Sequence, residues 1–80
     1  MNLTEAICTR IRELCSSRNI TINKLATICG ITQSTLSNIF TRKNNKPTVS
    51  TIKKICDGLN ITLTEFFDSE LFEELEQEIK

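Results

Sequence analysis

Four cysteines, a run of carboxylates and one stripe of hydroxyl and amide side chains are the groups in this 80-residue chain whose spacing suggests chemistry. Cys8, Cys15, Cys29 and Cys56 form no C-x-x-C pair, and Cys8 and Cys15 stand seven residues apart. On a helix that is roughly 10 Å along the axis, too far to share an ion whose Zn–S bonds are about 2.3 Å. Each cysteine also falls at an apolar position of a helical pattern. All four therefore read as reduced, buried core thiols, and no metal or cofactor is expected. The chain has no His, the commonest general base, and no glycine-rich phosphate loop, so an enzyme is not expected. The carboxylates between Glu70 and Glu78 are interleaved with Leu71, Phe72, Leu75 and Ile79. They read as a solvated acidic face rather than a hard-metal site. The stripe is different. Gln33, Ser34, Ser37, Asn38 and Thr41 recur at i, i+1, i+4, i+5 and i+8, polar and uncharged. Gln can pair with adenine through two hydrogen bonds, and Asn, Ser and Thr are versatile against base edges.

Basic residues surround that stripe. Residues 1–56 hold nine Lys and Arg against two acids, a balance of +7, whereas residues 57–80 hold one base against eight acids, a balance of −7. No acid occurs from Thr21 to Cys56. The formal net charge of zero thus conceals a body suited to a polyanion and an acidic tail. With 39% apolar residues, two Gly and one Pro, the chain is expected to form one small core without a flexible linker. It has no apolar run of the roughly 18 residues that span a bilayer, and Glu5 and Arg10 interrupt any leader-like pattern at its start. A membrane protein and a secreted mini-protein are not expected.

The elements that must position the stripe all read as helices. Asn2 and Glu5 form a capping pair, and Ile7, Cys8, Ile11, Leu14 and Cys15 give one apolar face up to Ser17 or Arg18, with Asn19 as the exit. Thr21 caps a short second helix carrying Ile22, Leu25, Ala26 and Cys29, which Gly30 ends. Ile31 turns inward, and Thr32 caps a third helix (about 32–40) that buries Leu36, Ile39 and Phe40. A basic loop, Thr41 to Pro47, leads to Thr48 and a fourth helix with Val49, Ile52, Ile55, Cys56 and Leu59 inward. Asn60 ends that helix. Thr62 to Glu65 is a capping box opening a fifth with Phe66 and Phe67. A last amphipathic acidic helix is expected from Asp68 or Ser69 onward. No internal repeat is evident.

A helix of about eight residues, a glycine turn and a second helix describe a helix-turn-helix, whose second helix enters a DNA major groove. The segment Thr21–Phe40, TINKLATICGITQSTLSNIF, resembles that of the lambda-repressor-like (Cro/repressor, XRE-type) family of phage and bacterial transcriptional regulators. The resemblance runs over about residues 3–67, carried by Leu25-Ala26, Gly30-Ile31, Leu36, Ile39, Pro47 and Leu59. It implies five helices, a dimer, and duplex DNA at inverted-repeat operators. It places Gln33, Ser34, Ser37 and Asn38 against bases, and Thr21, Thr32, Thr41, Lys43, Asn45 and Lys46 against the sugar-phosphate backbone. Two departures stand out. The second position of helix 2, often a phosphate-meeting Gln in the family, is Ile22, leaving that contact to Asn23 or Lys24. A buried Arg–Glu pair joining helix 1 to helix 3 is matched here by Cys15 and Phe40, an apolar replacement compatible with the fold.

The expected protein is an all-α, compact five-helix DNA-binding domain over residues 1–67, with an acidic amphipathic helix over 68–80 for dimerisation or partner binding. Phe66, Phe67, Leu71, Phe72, Leu75 and Ile79 are its expected dimer contacts, and Arg42 joins the backbone-contacting loop. The expected function is that of a cytoplasmic, homodimeric, sequence-specific regulator, a repressor with no small-molecule ligand. The alternatives are an antitoxin that binds its own promoter and neutralises a protein partner through the tail, and an interaction module that does not bind DNA.

Overall fold

A computed structural model of the chain describes residues 1–41 and 46–79. Arg42, Lys43, Asn44 and Asn45 of the basic loop lie outside the described residues, as does Lys80. Among the described residues five α-helices follow one another: α1 (Leu3–Ser17), α2 (Ile22–Cys29), α3 (Gln33–Thr41), α4 (Val49–Leu59) and α5 (Leu63–Phe67). A 3-10 turn, Glu70–Phe72, comes last, and no strand occurs among the described residues.

Each helix starts where a side chain takes up an otherwise orphaned amide. Asn2 accepts from the Glu5 amide and Thr62 from the Glu65 amide, and in both boxes the Glu carboxylate accepts from the cap's own amide. Thr21 and Thr48 accept from the amides of Lys24 and Thr51. Thr32 accepts from the Thr35 amide at 3.1 Å. Three helices also stop in the same way. Asn19, Gly30 and Asn60 adopt positive φ (55°, 68° and 58°), and the next residue is Ile each time. The amides of Ile20, Ile31 and Ile61 then donate to the carbonyls of Cys15, Ala26 and Cys56 at 3.1, 3.0 and 2.9 Å. This is the bond of a Schellman close, and all three Ile side chains pack on the core. The residue after each Ile is a capping Thr. Asn-Ile-Thr, Gly-Ile-Thr and Asn-Ile-Thr are therefore one connector used three times.

The stripes converge on one core. Ile7, Cys8, Ile11, Leu14 and Cys15 of α1, Leu25 and Ala26 of α2, and Leu36 and Ile39 of α3 are buried. So are Ile52, Ile55, Cys56 and Leu59 of α4 and Phe66 of α5. Helices α2 and α4 approach closely where α4 has no side chain. A Cβ on Gly58 would stand 2.5 Å from the Cys29 Sγ and 3.2 Å from its Cα. Val49 departs from expectation, being 69% exposed. It extends the α4 stripe one turn beyond Ile52, into solvent at the first position of the helix.

Two arginines lock helix ends to the bundle. Arg10 donates from Nε to the Phe66 carbonyl (2.7 Å) and from Nη2 to the Glu65 carbonyl (2.9 Å), capping the last turn of α5. Arg18 Nη2 donates to the Leu59 carbonyl at the end of α4 (3.4 Å). A guanidinium there satisfies orphan carbonyls and meets the negative end of the helix dipole.

The C-terminal segment differs from the expected amphipathic helix over 68–80. After the turn Glu70–Phe72 it runs without helix to Ile79. Glu70, Glu73 and Glu74 would face each other at i+3 and i+4 on a helix, and no base offsets them, so helix is disfavoured. So short a segment is also below the length at which a helix holds in water by itself. The chain folds back instead. Phe72 packs tilted against Phe66 and edge-on to Phe67, with ring centroids 6.3 and 4.9 Å apart, while Leu71, Phe72 and Leu75 are half-buried. The Glu76 amide donates to the Met1 carbonyl at 3.3 Å.

Gly30 offers a clean test of the connector, because a Cβ there would meet nothing within 4 Å. Gly30→Ala should therefore cost about 1–2 kcal/mol through positive φ alone, and Gly30→Asn less. Chemical denaturation followed by circular dichroism measures both. Phe72→Ala should cost about 1–3 kcal/mol, a partial version of a buried Phe deletion. A cost near zero would mean that the tail does not belong to the fold.

Candidate nucleic-acid interface

The elbow at Gly30 sets α3 across the end of α2, and Leu36 and Ile39 fasten its inner side. Its outer side is what the sequence left polar. Gln33, Ser34 and Ser37 are exposed and Asn38 is half-buried. Gln33 and Ser37 open onto a cleft of about 220 Å³ between α2 and α3, whose other walls include Asn23, Ile22, Arg12 and Phe40. Ser34 and Asn38 do not line it. None of these polar side chains carries a charge, so the face can discriminate only by hydrogen-bond pattern and shape.

Around it the expected backbone-contacting residues fall into different situations. Thr21 and Thr32 use their hydroxyl oxygens as cap acceptors for the amides of Lys24 and Thr35 at 3.0 and 3.1 Å. An accepting hydroxyl keeps its own O–H, so the Thr21 cap can still donate to an anion. Thr41 is otherwise engaged, donating to the Ser37 carbonyl of its own helix at 3.0 Å. Asn23, Lys24 and Lys46 are exposed. Arg42, Lys43 and Asn45 were expected here too, and lie outside the described residues.

The structure sorts the basic residues by what already holds them. Arg10 and Arg18 serve helix ends, and Lys53 pairs with Asp57 one turn away. Among the described residues, Arg12, Lys24, Lys46 and Lys54 make no ion pair within the chain. Arg12 carries little signal in the sequence, where it is one of three arginines flanking an apolar stripe. In the fold its guanidinium lies 4.4 Å from the centre of the Phe40 ring. Phe40, expected in the core, is half-buried beneath that cation. The joint between α1 and α3 is thus a cation–π stack together with the Cys8 thiol, which donates to the Ile39 carbonyl at 3.4 Å.

The residues expected at a dimer contact are mostly occupied within the chain. Phe66 is wholly buried, Leu71, Phe72 and Leu75 are half-buried against the chain's own surface, and only Phe67 and Ile79 are exposed. Phe66 is therefore unavailable to any partner, because it fills the centre of its own core. Cys8, Cys15 and Cys56 are buried and Cys29 half-buried, which corrects the expectation of four buried thiols. Burial raises the pKa of all four, and at Cys29 the neighbouring Cys15 and Cys56 raise it further. No helix of the described residues is long and apolar enough to cross a membrane.

This geometry has known counterparts. Residues 10–70 match the model of the Cro/C1-type HTH DNA-binding domain, and the chain belongs to that family, one of DNA-binding domains rather than enzymes. It is similar to the uncharacterized HTH-type transcriptional regulator RghRB of Bacillus subtilis (strain 168), 38% identical over 52 residues. That alignment covers 65% of this chain and 37% of RghRB, so the chain spans little more than a third of that relative's length. The fold is similar to the crystal structure of prophage Lp1 protein 11, with a TM-score of 0.83 and 36% identity over 94% of this chain and all of that one.

The thiols supply a test of the packing behind this surface. Because burial disfavours the thiolate, labelling of the native protein should lag behind that of the unfolded chain and shift to more alkaline pH. Cys29 should react first and Cys56, wholly buried, among the last. Mass-resolved alkylation across a pH series reads the order, and fast native labelling of Cys8 or Cys15 would contradict it.

Proposed function

We propose that this protein is a sequence-specific, duplex-DNA-binding transcriptional regulator that places α3 in the major groove. One observation carries the reading. The exposed face of α3, Gln33, Ser34 and Ser37, is uncharged and held at a glycine elbow within a stretch, Thr21 to Cys56, that contains no acid. Gln33 and Ser37, beside Ser34 and Asn38, are the base readers. Thr21, Asn23, Lys24, Thr32 and Lys46, with Arg42, Lys43, Asn45 and Thr41, are the backbone contacts, Thr41 once its hydroxyl turns from the Ser37 carbonyl to a phosphate. Phosphate contacts supply affinity blind to sequence, and the reading helix supplies selectivity. The regulator acts as a repressor in the cytoplasm, and as a homodimer on an inverted repeat, since two recognition helices one DNA turn apart give a helix-turn-helix its operator length. Among the residues expected to pair the subunits, Phe67 and Ile79 keep exposed apolar surface for that role. The exposed acids Asp68, Glu70, Glu73, Glu74, Glu76 and Glu78 stand on the folded-back segment. There they leave open a basic protein partner, as in an antitoxin.

Selection of binding sites from random duplex DNA, followed by anisotropy titration, tests the reading. An enriched inverted repeat supports it, and a chain that enriches nothing refutes it. On the selected site Gln33→Ala should cost about 1–3 kcal/mol, the range of a good bidentate contact, and leave random duplex binding nearly unchanged. Equal losses on both duplexes would remove Gln33 from the readers.

A further inference from the structure

We propose that Arg12 is a phosphate-contacting residue of the DNA interface, its guanidinium aimed by the Phe40 ring on which it lies. The proposal rests on the DNA-binding reading above and names a contact that reading does not contain. Arg12 comes from α1, outside the helix-turn-helix. Yet it lines the cleft with Gln33, Ser37 and Asn23, and also the neighbouring groove that reaches Thr41 at the other end of α3. It therefore borders α3 along its flank. If α3 lies in a major groove, a sugar-phosphate strand runs along that flank.

The ring holds the cation in place: its centre lies 4.4 Å from the Arg12 Cζ, so Phe40 attracts the guanidinium and shields one side of it. The guanidinium donors on the other side remain for phosphate oxygens, and they can form two parallel hydrogen bonds, which an ammonium cannot make. The carboxylates of α1 are committed elsewhere, and Glu70 of the folded-back segment lines a groove with Arg12 without pairing with it. Glu5 closes the α1 capping box through the Asn2 amide, and Glu13 pairs with Arg10 at 3.6 Å. Among the described residues no acid forms an ion pair with Arg12. Arg10 of α1 and Arg18 at its C-cap are bound to carbonyls of α5 and α4. Arg12 is thus the α1 arginine left open to an anion. Ile22, which lines the same cleft, offers no donor of its own.

The test compares salt dependence in the full chain. Each phosphate contact contributes about 0.9 to the slope of log K against log salt on duplex DNA. Arg12→Gln should lower that slope by about 0.9 on the selected site and on random duplex alike, with their affinity ratio unchanged. Arg12→Lys should keep the slope but bind both duplexes more weakly. Phe40→Leu should weaken binding as Arg12→Lys does, and add nothing when combined with Arg12→Gln. Thermal unfolding of each variant checks that the fold is kept, and substitutions at the exposed Arg12 should leave it intact. Lys46→Gln is the control for the DNA reading and should also lower the slope by about 0.9. If the wild type and Lys46→Gln behave in this way and Arg12→Gln keeps the wild-type slope, the proposal is overturned alone. In that case Arg12 merely covers Phe40. A wild type without salt-dependent duplex binding overturns the DNA reading, and the proposal with it.

Discussion

A single backbone event, repeated at the ends of α1, α2 and α4, fixes the path of the chain: one residue turns left-handed and the next sends its amide back to the carbonyl five residues earlier. That pairing reverses the chain within about one residue and satisfies carbonyls that the helix end would otherwise leave bare. The Ile that donates is driven inward by the same geometry, so each corner is nailed to the core. The Thr that follows is already in position to cap the next helix. The turns from α1 to α2, α2 to α3 and α4 to α5 are thus set by local geometry. Gly is used at the elbow between α2 and α3, and Asn at the other two corners. Both residues tolerate positive φ, Gly without cost and Asn at a modest one.

With the corners fixed, the remaining freedom lies in how each helix rolls, and buried side chains settle it. Leu36 and Ile39 leave α3 only one outward face, while Ala26 and Gly58 allow neighbouring helices to come close. The short α5 could not hold its place by length alone. It is held by Phe66, wholly buried, and by the Arg10 fork on its last carbonyls. Phe72 then extends the aromatic cluster outward, which is why the acidic segment folds back on α1 and α5.

Most of this was legible because it is local. Caps, left-handed exits and helical stripes are written in windows of three to eight residues, and the structure keeps them almost where the spacing places them. The Asn/Gly-Ile-Thr connector, though equally local, is too short to register as a repeat and shows its unity only through its bonds. The misread places depend on what lies across space. Val49 fits the period of α4 yet meets water, because periodicity does not say where the core ends. The spacing of Leu71, Phe72 and Leu75 suits a helix, but a turn presents the same side chains to the core, and clustered Glu makes the turn preferable. Phe40 reads as core at the end of an apolar stripe, and only the folded chain sets Arg12 above it. Which cations are spent on carbonyls and which stay open is likewise invisible to a count of charges.

That last distinction bears on how a small domain can be selective at all. A Lys or Arg on the outer face of α3 would attract every duplex through its phosphates, and so raise affinity without regard to sequence. Here that face carries Gln, Ser and Asn, while Arg12, Lys24 and Lys46, three of the four described cations that make no ion pair within the chain, come from its surroundings: α1, α2 and the stretch that follows α3. In the proposed complex the margins hold the duplex and the neutral face judges it. A wrong base then leaves a donor or acceptor of Gln33 or Ser37 without a partner at a dried interface, which is costlier than a weakened attraction. The acids complete the division. From Thr21 to Cys56, the stretch that contains the reading helix, the chain has none, and after Asp57 they accumulate on the segment folded against α1. The protein as a whole stays neutral while the one surface that would face a polyanion does not.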